Sequence, residues 1–188
     1  DLVLGNLGLN SKYTASKEAP FEVFSGDLDS NGSMDIVLSY YAEGEYYPVR
    51  GRSCSSQQIP QIAQKFPTFD EFGEASTFDV YGDALEKALN YKAHTFSSMV
   101  LENKGDGFVN HEMTMEAQIS SINSILIDDF DGDSNKDILI AGNMYDFEIE
   151  TPRNDASIGL MLKGYGTLNF KPKRYKETGF FADGDCRE

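Results

Sequence analysis

Histidine, cysteine and basic residues are all scarce in this 188-residue chain, and each scarcity closes off a class of chemistry. The two cysteines, Cys54 and Cys186, form no Cys-x-x-Cys pair, so zinc binding and dithiol redox chemistry lack a ligand set. A disulfide between them would suit an exported protein, but sequence alone does not bring their Cα atoms together, and the pairing stays open. Lys and Arg number 16 against 31 Asp and Glu, a formal net charge of −15. Such a surface repels phosphate backbones and no basic cluster offsets it, which argues against a nucleic-acid partner. No apolar run approaches the roughly 20 residues that span a bilayer, so no transmembrane segment is expected. There is no basic-then-apolar leader, and the chain opens on Asp1 rather than Met, so a processed or excised part of something longer is expected. The remaining composition, 40% apolar and 25% charged, is that of a folded domain.

What the chain has in abundance is aspartate, in two loops of one grammar. Asp129-Phe-Asp131-Gly-Asp133-Ser-Asn135-Lys-Asp137 carries acidic residues at positions 1, 3, 5 and 9 and runs into Ile-Leu-Ile-Ala-Gly-Asn. Asp27-Leu-Asp29-Ser-Asn31-Gly-Ser33-Met-Asp35 does the same with Asn at position 5 and runs into Ile-Val-Leu-Ser-Tyr-Tyr. Alternation of this kind aims several oxygens at one point, as Ca²⁺ requires. The candidate metal ligands are the side chains of Asp27, Asp29, Asn31 and Asp35 with the carbonyl of Ser33. In the second loop they are Asp129, Asp131, Asp133 and Asp137 with the carbonyl of Asn135. Soft metals would want His or Cys, and Mg²⁺, which keeps more of its water, fits less well. An EF-hand is excluded: position 12 is Leu38 or Ile140 instead of a bidentate Glu, and strand-formers come after each loop. Four carboxylates within Asp129–Asp137 repel one another unless a cation sits among them, so the second loop is expected to bind more tightly than the first.

Around the loops the pattern is mainly β. Phe21 to Ser25 leads into the first loop and Ile36 to Tyr41 leads out; Ile119 to Ile127 and Ile138 to Ala141 flank the second. Hairpins are expected over 94–113, turning at Asn103-Lys-Gly-Asp-Gly107, and over 157–173, turning at Gly164-Tyr-Gly166. Residues 45–57 read as a loop and 58–92 as a helical insertion with Ile59, Ile62, Ala63 and Phe66 at helical spacing. Phe69, Phe72, Phe78 and Tyr81 continue its apolar face, and Asp83 with Glu86 resembles a capping box for a helix carrying Leu85 and Leu89. The opening Asp1-Leu-Val-Leu-Gly-Asn matches Asp137-Ile-Leu-Ile-Ala-Gly-Asn143, which makes Asp1 the last ligand position of a third, truncated repeat. The repeated unit is then a strand, an Asp loop, a second strand and a hairpin, about four short strands, the content of a propeller blade.

The stretch 129–143 resembles the FG-GAP, or VCBS-type, repeat of the calcium-binding β-propellers of integrin α chains and of many secreted or surface bacterial proteins. Asn103-Lys-Gly-Asp-Gly-Phe108 is similar to the hairpins of the larger bacterial proteins of this kind. The resemblance covers about two thirds of the chain and leaves out 58–92. It implies a partial β-propeller of two to three blades: the end of a truncated repeat at 1–20, a first blade from 21–57 and 93–118, a second at 119–175 and the start of a further repeat at 176–188. It also implies that the family's calcium ligands fall on the ten residues named above. The two loops differ at the tight positions 4 and 6, which are Ser30 and Gly32 in the first and Gly132 and Ser134 in the second. A whole ring has about seven blades, so this chain would be a fragment or part of an assembly.

Two functions emerge as expectations. One is a non-catalytic calcium-binding module of a secreted, cell-surface or periplasmic protein, with a protein or glycan ligand and Ca²⁺ rigidifying the loops. Tyr40, Tyr41, Tyr46 and Tyr47 are then candidates for stacking on sugars, although edge or core packing is their commoner use. The other is part of a polysaccharide hydrolase or lyase. Only His94 and His111 are on offer as acid/base groups, and there is neither a Gly-x-Ser-x-Gly elbow nor an HExxH motif, which favours the module and no catalytic residue.

Overall fold

The computed structural model describes residues 1–147 and 151–187. In chain order it contains β1 (Leu2–Leu4), β2 (Phe21–Gly26), β3 (Asp35–Ala42) and β4 (Glu45–Pro48). Five short helices come next: α1 (Arg52–Gln58), α2 (Gln61–Lys65), α3 (Phe69–Gly73), α4 (Thr77–Tyr81) and α5 (Ala84–Lys87). Then come β5 (Leu89–Ala93), β6 (Met99–Asn103), β7 (Phe108–Glu112), a 3₁₀ turn (Met115–Gln118), β8 (Ser124–Asp128) and β9 (Asp137–Ala141). The chain closes with β10 (Leu160–Gly164), β11 (Phe170–Lys173) and α6 (Tyr175–Thr178). The protein is mainly β, in several antiparallel sheets, none of which closes on itself. It divides into two compact units, Asp1–Lys12 with Phe96–Glu188, and Tyr13–Thr95.

In the first unit, β8, β9, β10 and β11 form one sheet in that spatial order, each strand hydrogen-bonded to the next along the chain. Ile138 pairs with Leu162 and Ile140 with Leu160, and the alternation of β9 turns Ile138 and Ile140 into the core while Leu139 faces the other way. The second sheet is β1-β6-β7, with Leu2 paired to Leu101 and Leu4 to Met99. The 94–113 hairpin, expected to complete the first blade, is bonded to β1 instead, a partner almost a hundred residues away that no local pattern reveals.

Val100, Ala117, Ile122, Ile138, Ile140 and Leu162 make one core cluster. Beside it Gln118, almost wholly buried, satisfies its amide completely enough to sit there. Its Oε1 accepts the Ser98 N–H at 2.9 Å, its Nε2 donates to the Ser98 carbonyl at 2.8 Å, and its own carbonyl accepts from Leu9 and Asn10. The glycines of the two Gly-Asn pairs are close-approach positions. A Cβ on Gly5 would meet the Ile122 carbonyl oxygen at 2.4 Å, and one on Gly142 would meet that of Ser121 at 2.3 Å. The repeated Gly-Asn after each strand thus lets the 118–123 segment pass between them.

In the second unit the sheet order is β4-β3-β2-β5. Phe24 pairs with Val37, and both pack on Leu85 of α5. Residues 45–57, expected as a loop, form β4 and α1; Pro48 is tolerated because it ends an edge strand. The helices hold a cluster of their own, Ile59, Ile62, Phe72, Ala75 and Val80. None is longer than seven residues, so packing and caps rather than intrinsic propensity hold them. The chain also breaks too often for one apolar stripe to continue: Phe69 and Phe78, expected on that stripe, are 66% and 54% exposed. The capping boxes are Thr68 with Glu71 and Ser76 with Asp79. Asp83 makes no side-chain cap, because Gly82 at φ +62° ends α4 and Asp83 is already helical; Leu89 lies exposed on β5.

The Asp79 carboxyl is held below its usual range by the Ser76 hydroxyl and then by the Ser76 N–H. A lowered carboxyl contributes stability above its unfolded value of about 3.9, and that contribution fades as pH falls through the lower folded value. Ser76→Ala is therefore expected to cost about 1 kcal/mol at pH 7. Urea titrations at pH 7 and pH 3 should show the gap between variant and parent narrowing at the lower pH.

Candidate metal centre

Both Asp loops are the turns of antiparallel hairpins: the first joins β2 to β3 and the second joins β8 to β9. The last strand pairs are Gly26 with Asp35 and Asp128 with Asp137. Position 9 is thus the first residue of the outgoing strand in each case, and it is buried, Asp35 at 3% exposure and Asp137 at 0%. Asp27 is exposed, and Asp29 and Asp129 are half-buried.

The internal bonding of the two loops follows one pattern, with small differences. The position-9 carboxylate accepts the N–H of position 2, Leu28 at 2.9 Å and Phe130 at 3.1 Å. The position-1 carboxylate gathers the N–H groups of the turn: Asp27 accepts from Asn31 and Gly32, and Asp129 from Gly132, Asp133 and Ser134. The position-5 side chain accepts from position 7, Asn31 from Ser33 at 2.7 Å and Asp133 from Asn135 at 2.9 Å. Positions 4 and 6 have positive φ in both loops, Ser30 +64° and Gly32 +85°, Gly132 +80° and Ser134 +68°. The exchange of serine and glycine therefore leaves the backbone path unchanged, with one serine carrying the left-handed strain in each loop.

One carboxylate oxygen from each of Asp27, Asp29 and Asp35 lies within 4.8 Å of the others, and the same holds for Asp129, Asp131 and Asp137. Three convergent carboxylates with only oxygen donors beside them make a donor set for a hard divalent cation. Asn31 and Asp133 stand at the turn as further oxygen donors, while Ser33 and Asn135 hold position 7 with their N–H groups turned to position 5.

Three residues that sequence reasoning passed over shape the second loop. Gly164 allows the loop to lie on β10, since a Cβ there would meet the Lys136 carbonyl oxygen at 2.0 Å, and its N–H donates to Asp137 at 2.8 Å. Gly166 approaches the Asn135 side chain in the same way. Lys163 donates to Asp131 and to Asp133, the latter at 2.8 Å. That ammonium, followed by the Asn135 N–H, holds the Asp133 carboxyl below its usual range, and Asp131 and then Asp133 push Lys163 up. Lys136 lowers Asp128 beside the loop. Asp1 repeats one of these bonds: its carboxylate accepts the N–H of Asn103 on the neighbouring strand at 2.8 Å, as Asp137 does from Gly164.

The other candidates are placed differently. His94 is exposed, and His111 is half-buried with Nε2 3.0 Å from Glu102 Oε2. Tyr40 with Tyr47 and Tyr41 with Tyr46 are cross-strand pairs whose rings meet at 6.3 and 5.2 Å. Asp185, in the expected further repeat, pairs with Arg187 at 2.8 Å.

Because Asp137 accepts two main-chain N–H groups, Asp137→Ala in EDTA is expected to lower the unfolding free energy by about 2–4 kcal/mol. Asp35→Ala, which strands only the Leu28 N–H, should cost less in the same denaturation experiment. Comparison with protein-family models, curated proteins and solved structures finds no match for this chain.

Proposed function

We propose that this chain is a non-catalytic calcium-binding module, built of FG-GAP-type β-propeller repeats, from a secreted or cell-surface protein that binds a protein or glycan ligand. The observation that carries the reading is that two loops of different sequence share the positive φ of positions 4 and 6 and the bonds of positions 5 and 9, each converging three carboxylates on a point. The meander β8-β9-β10-β11 with an Asp loop in its first turn is compatible with one blade of such a propeller. Ca²⁺ is preferred to Mg²⁺ because the loops offer five oxygen donors from consecutive odd positions, more than an ion that keeps most of its water would use. The ion's role is mechanical: it offsets repulsion among carboxylates at the end of a hairpin and stiffens the surface beside it.

Isothermal titration with Ca²⁺ is expected to find two sites, one lost in Asp27→Ala and the other in Asp129→Ala. At Ca²⁺ about 100-fold above the dissociation constant, each site should add about 2.7 kcal/mol of stability, reversed by EDTA. A chain whose melting is indifferent to Ca²⁺ would refute the reading. A glycan array probed in Ca²⁺ and in EDTA then tests the ligand class, with binding expected only in Ca²⁺.

A further inference from the structure

The second loop already holds a positive charge of its own. Lys163 Nζ reaches both Asp131 and Asp133, and its side chain is only 17% exposed. The first loop has no counterpart: among the described residues no lysine or arginine is paired with Asp27, Asp29 or Asp35. Strand register supplies the reason. Leu162 faces Ile138, so the next residue, Lys163, stands opposite Asp137. In the other unit Pro48 faces Ser39 and the Val49 N–H bonds to Leu38, but the strand stops there, and the basic Arg52 comes only after it. There the chain has already turned into α1, and the guanidinium donates to the carbonyls of Phe66 at 2.6 Å and Ala63 at 3.2 Å. Lys163 thus stands beside its loop on a strand, while in the other unit the third strand ends at Pro48, before it reaches Asp35.

Lys163 and Asp131 also line a cavity of about 520 Å³. Phe130, Leu139 and Met161 give it an apolar lining, and Lys173 contributes a second ammonium, partly offset by Glu177 at 3.2 Å.

We propose that Lys163 couples the loop to this cavity. When the second loop binds Ca²⁺, the ammonium leaves Asp131 and Asp133 for the cavity, which then accepts a small anion, a carboxylate with an apolar tail. The inference rests on the calcium reading of the second loop and extends it to a ligand class. Like charges decide the direction: an ammonium and a divalent cation cannot share two carboxylates without strong repulsion. The flexible four-carbon stem lets the head swing while β10 stays in register. With Lys163 in the loop, by contrast, its charge is spent on Asp131 and Asp133, and an entering anion meets Asp131 at the wall. Counting carboxylates ranks the second loop above the first, and the resident ammonium removes that advantage, which makes the second loop the responsive one. By linkage, an anion that prefers the calcium-loaded form tightens Ca²⁺ binding by the same factor.

The test uses hexanoate as the anion and hexanol as its neutral control, at constant ionic strength, in Ca²⁺ and in EDTA. Nuclear magnetic resonance reads the Gly132 amide for the loop and the Met161 methyl, assigned through Met161→Leu, for the cavity. Hexanoate is expected to bind at least about fivefold more tightly in Ca²⁺ than in EDTA, and hexanol equally in both. Lys163→Met should abolish that difference and strengthen Ca²⁺ binding at the loop. Equal hexanoate affinity in the two conditions, with the Gly132 amide still responding to Ca²⁺, overturns the coupling and leaves the calcium reading standing. A Gly132 amide indifferent to Ca²⁺ overturns both.

Discussion

Asp137 has no exposed surface, and its two carboxylate oxygens accept N–H groups from two directions, Phe130 within the loop and Gly164 on the neighbouring strand. A charged group is tolerated there only because both oxygens are hydrogen-bonded, and the consequence is geometric. The loop is tied to the start of β9 and, through Gly164, to β10, which fixes the backbone from which the remaining carboxylates project. Asp35 performs the first of these bonds and Asp1 makes a cross-strand bond like the second. A strand that begins with aspartate is the common device, and the acidic turn in front of it is held in shape by backbone N–H groups before any ion is considered.

That pre-shaping has an electrostatic cost which the two loops meet differently. In the first, Asp27 and Asp29 project from a turn that contains no lysine or arginine partner among the described residues. In the second, a higher charge density is balanced by Lys163, while Lys136 answers Asp128 alongside. Loops with one backbone path therefore need not respond alike to a cation. The difference comes from how far the third strand runs: β10 carries Lys163 alongside its loop, whereas β4 ends at Pro48 opposite Ser39, short of Asp35.

How much of this was legible depended on how local each interaction is. The loops and the strands beside them could be read directly, because odd-numbered oxygen donors and β-branched runs are patterns of neighbours in sequence. The turn at Gly164-Tyr-Gly166 was legible as a turn, but its contact with Lys136 and Asn135 was not, since nothing in the pattern says which glycines face another backbone. The pairing of β6 with β1 depends on segments almost a hundred residues apart, and the reach of Lys163 on the register between β9 and β10, which the long connection between them leaves open. The helix cap expected at Asp83 fails for a simpler reason: Ser76-x-x-Asp79 and Asp83-x-x-Glu86 have the same spacing, but Ser76 is extended and free to cap while Asp83 is already helical.

The convergence of Asp27, Asp29 and Asp35, and of Asp129, Asp131 and Asp137, on two points is the feature on which the functional reading stands. A crystal grown in Ca²⁺ and measured for anomalous scattering tests it most directly. Two peaks are expected, one within each loop, with carboxylate oxygens about 2.3–2.6 Å from each. Calcium-saturated crystals with no anomalous peak at either loop would contradict it.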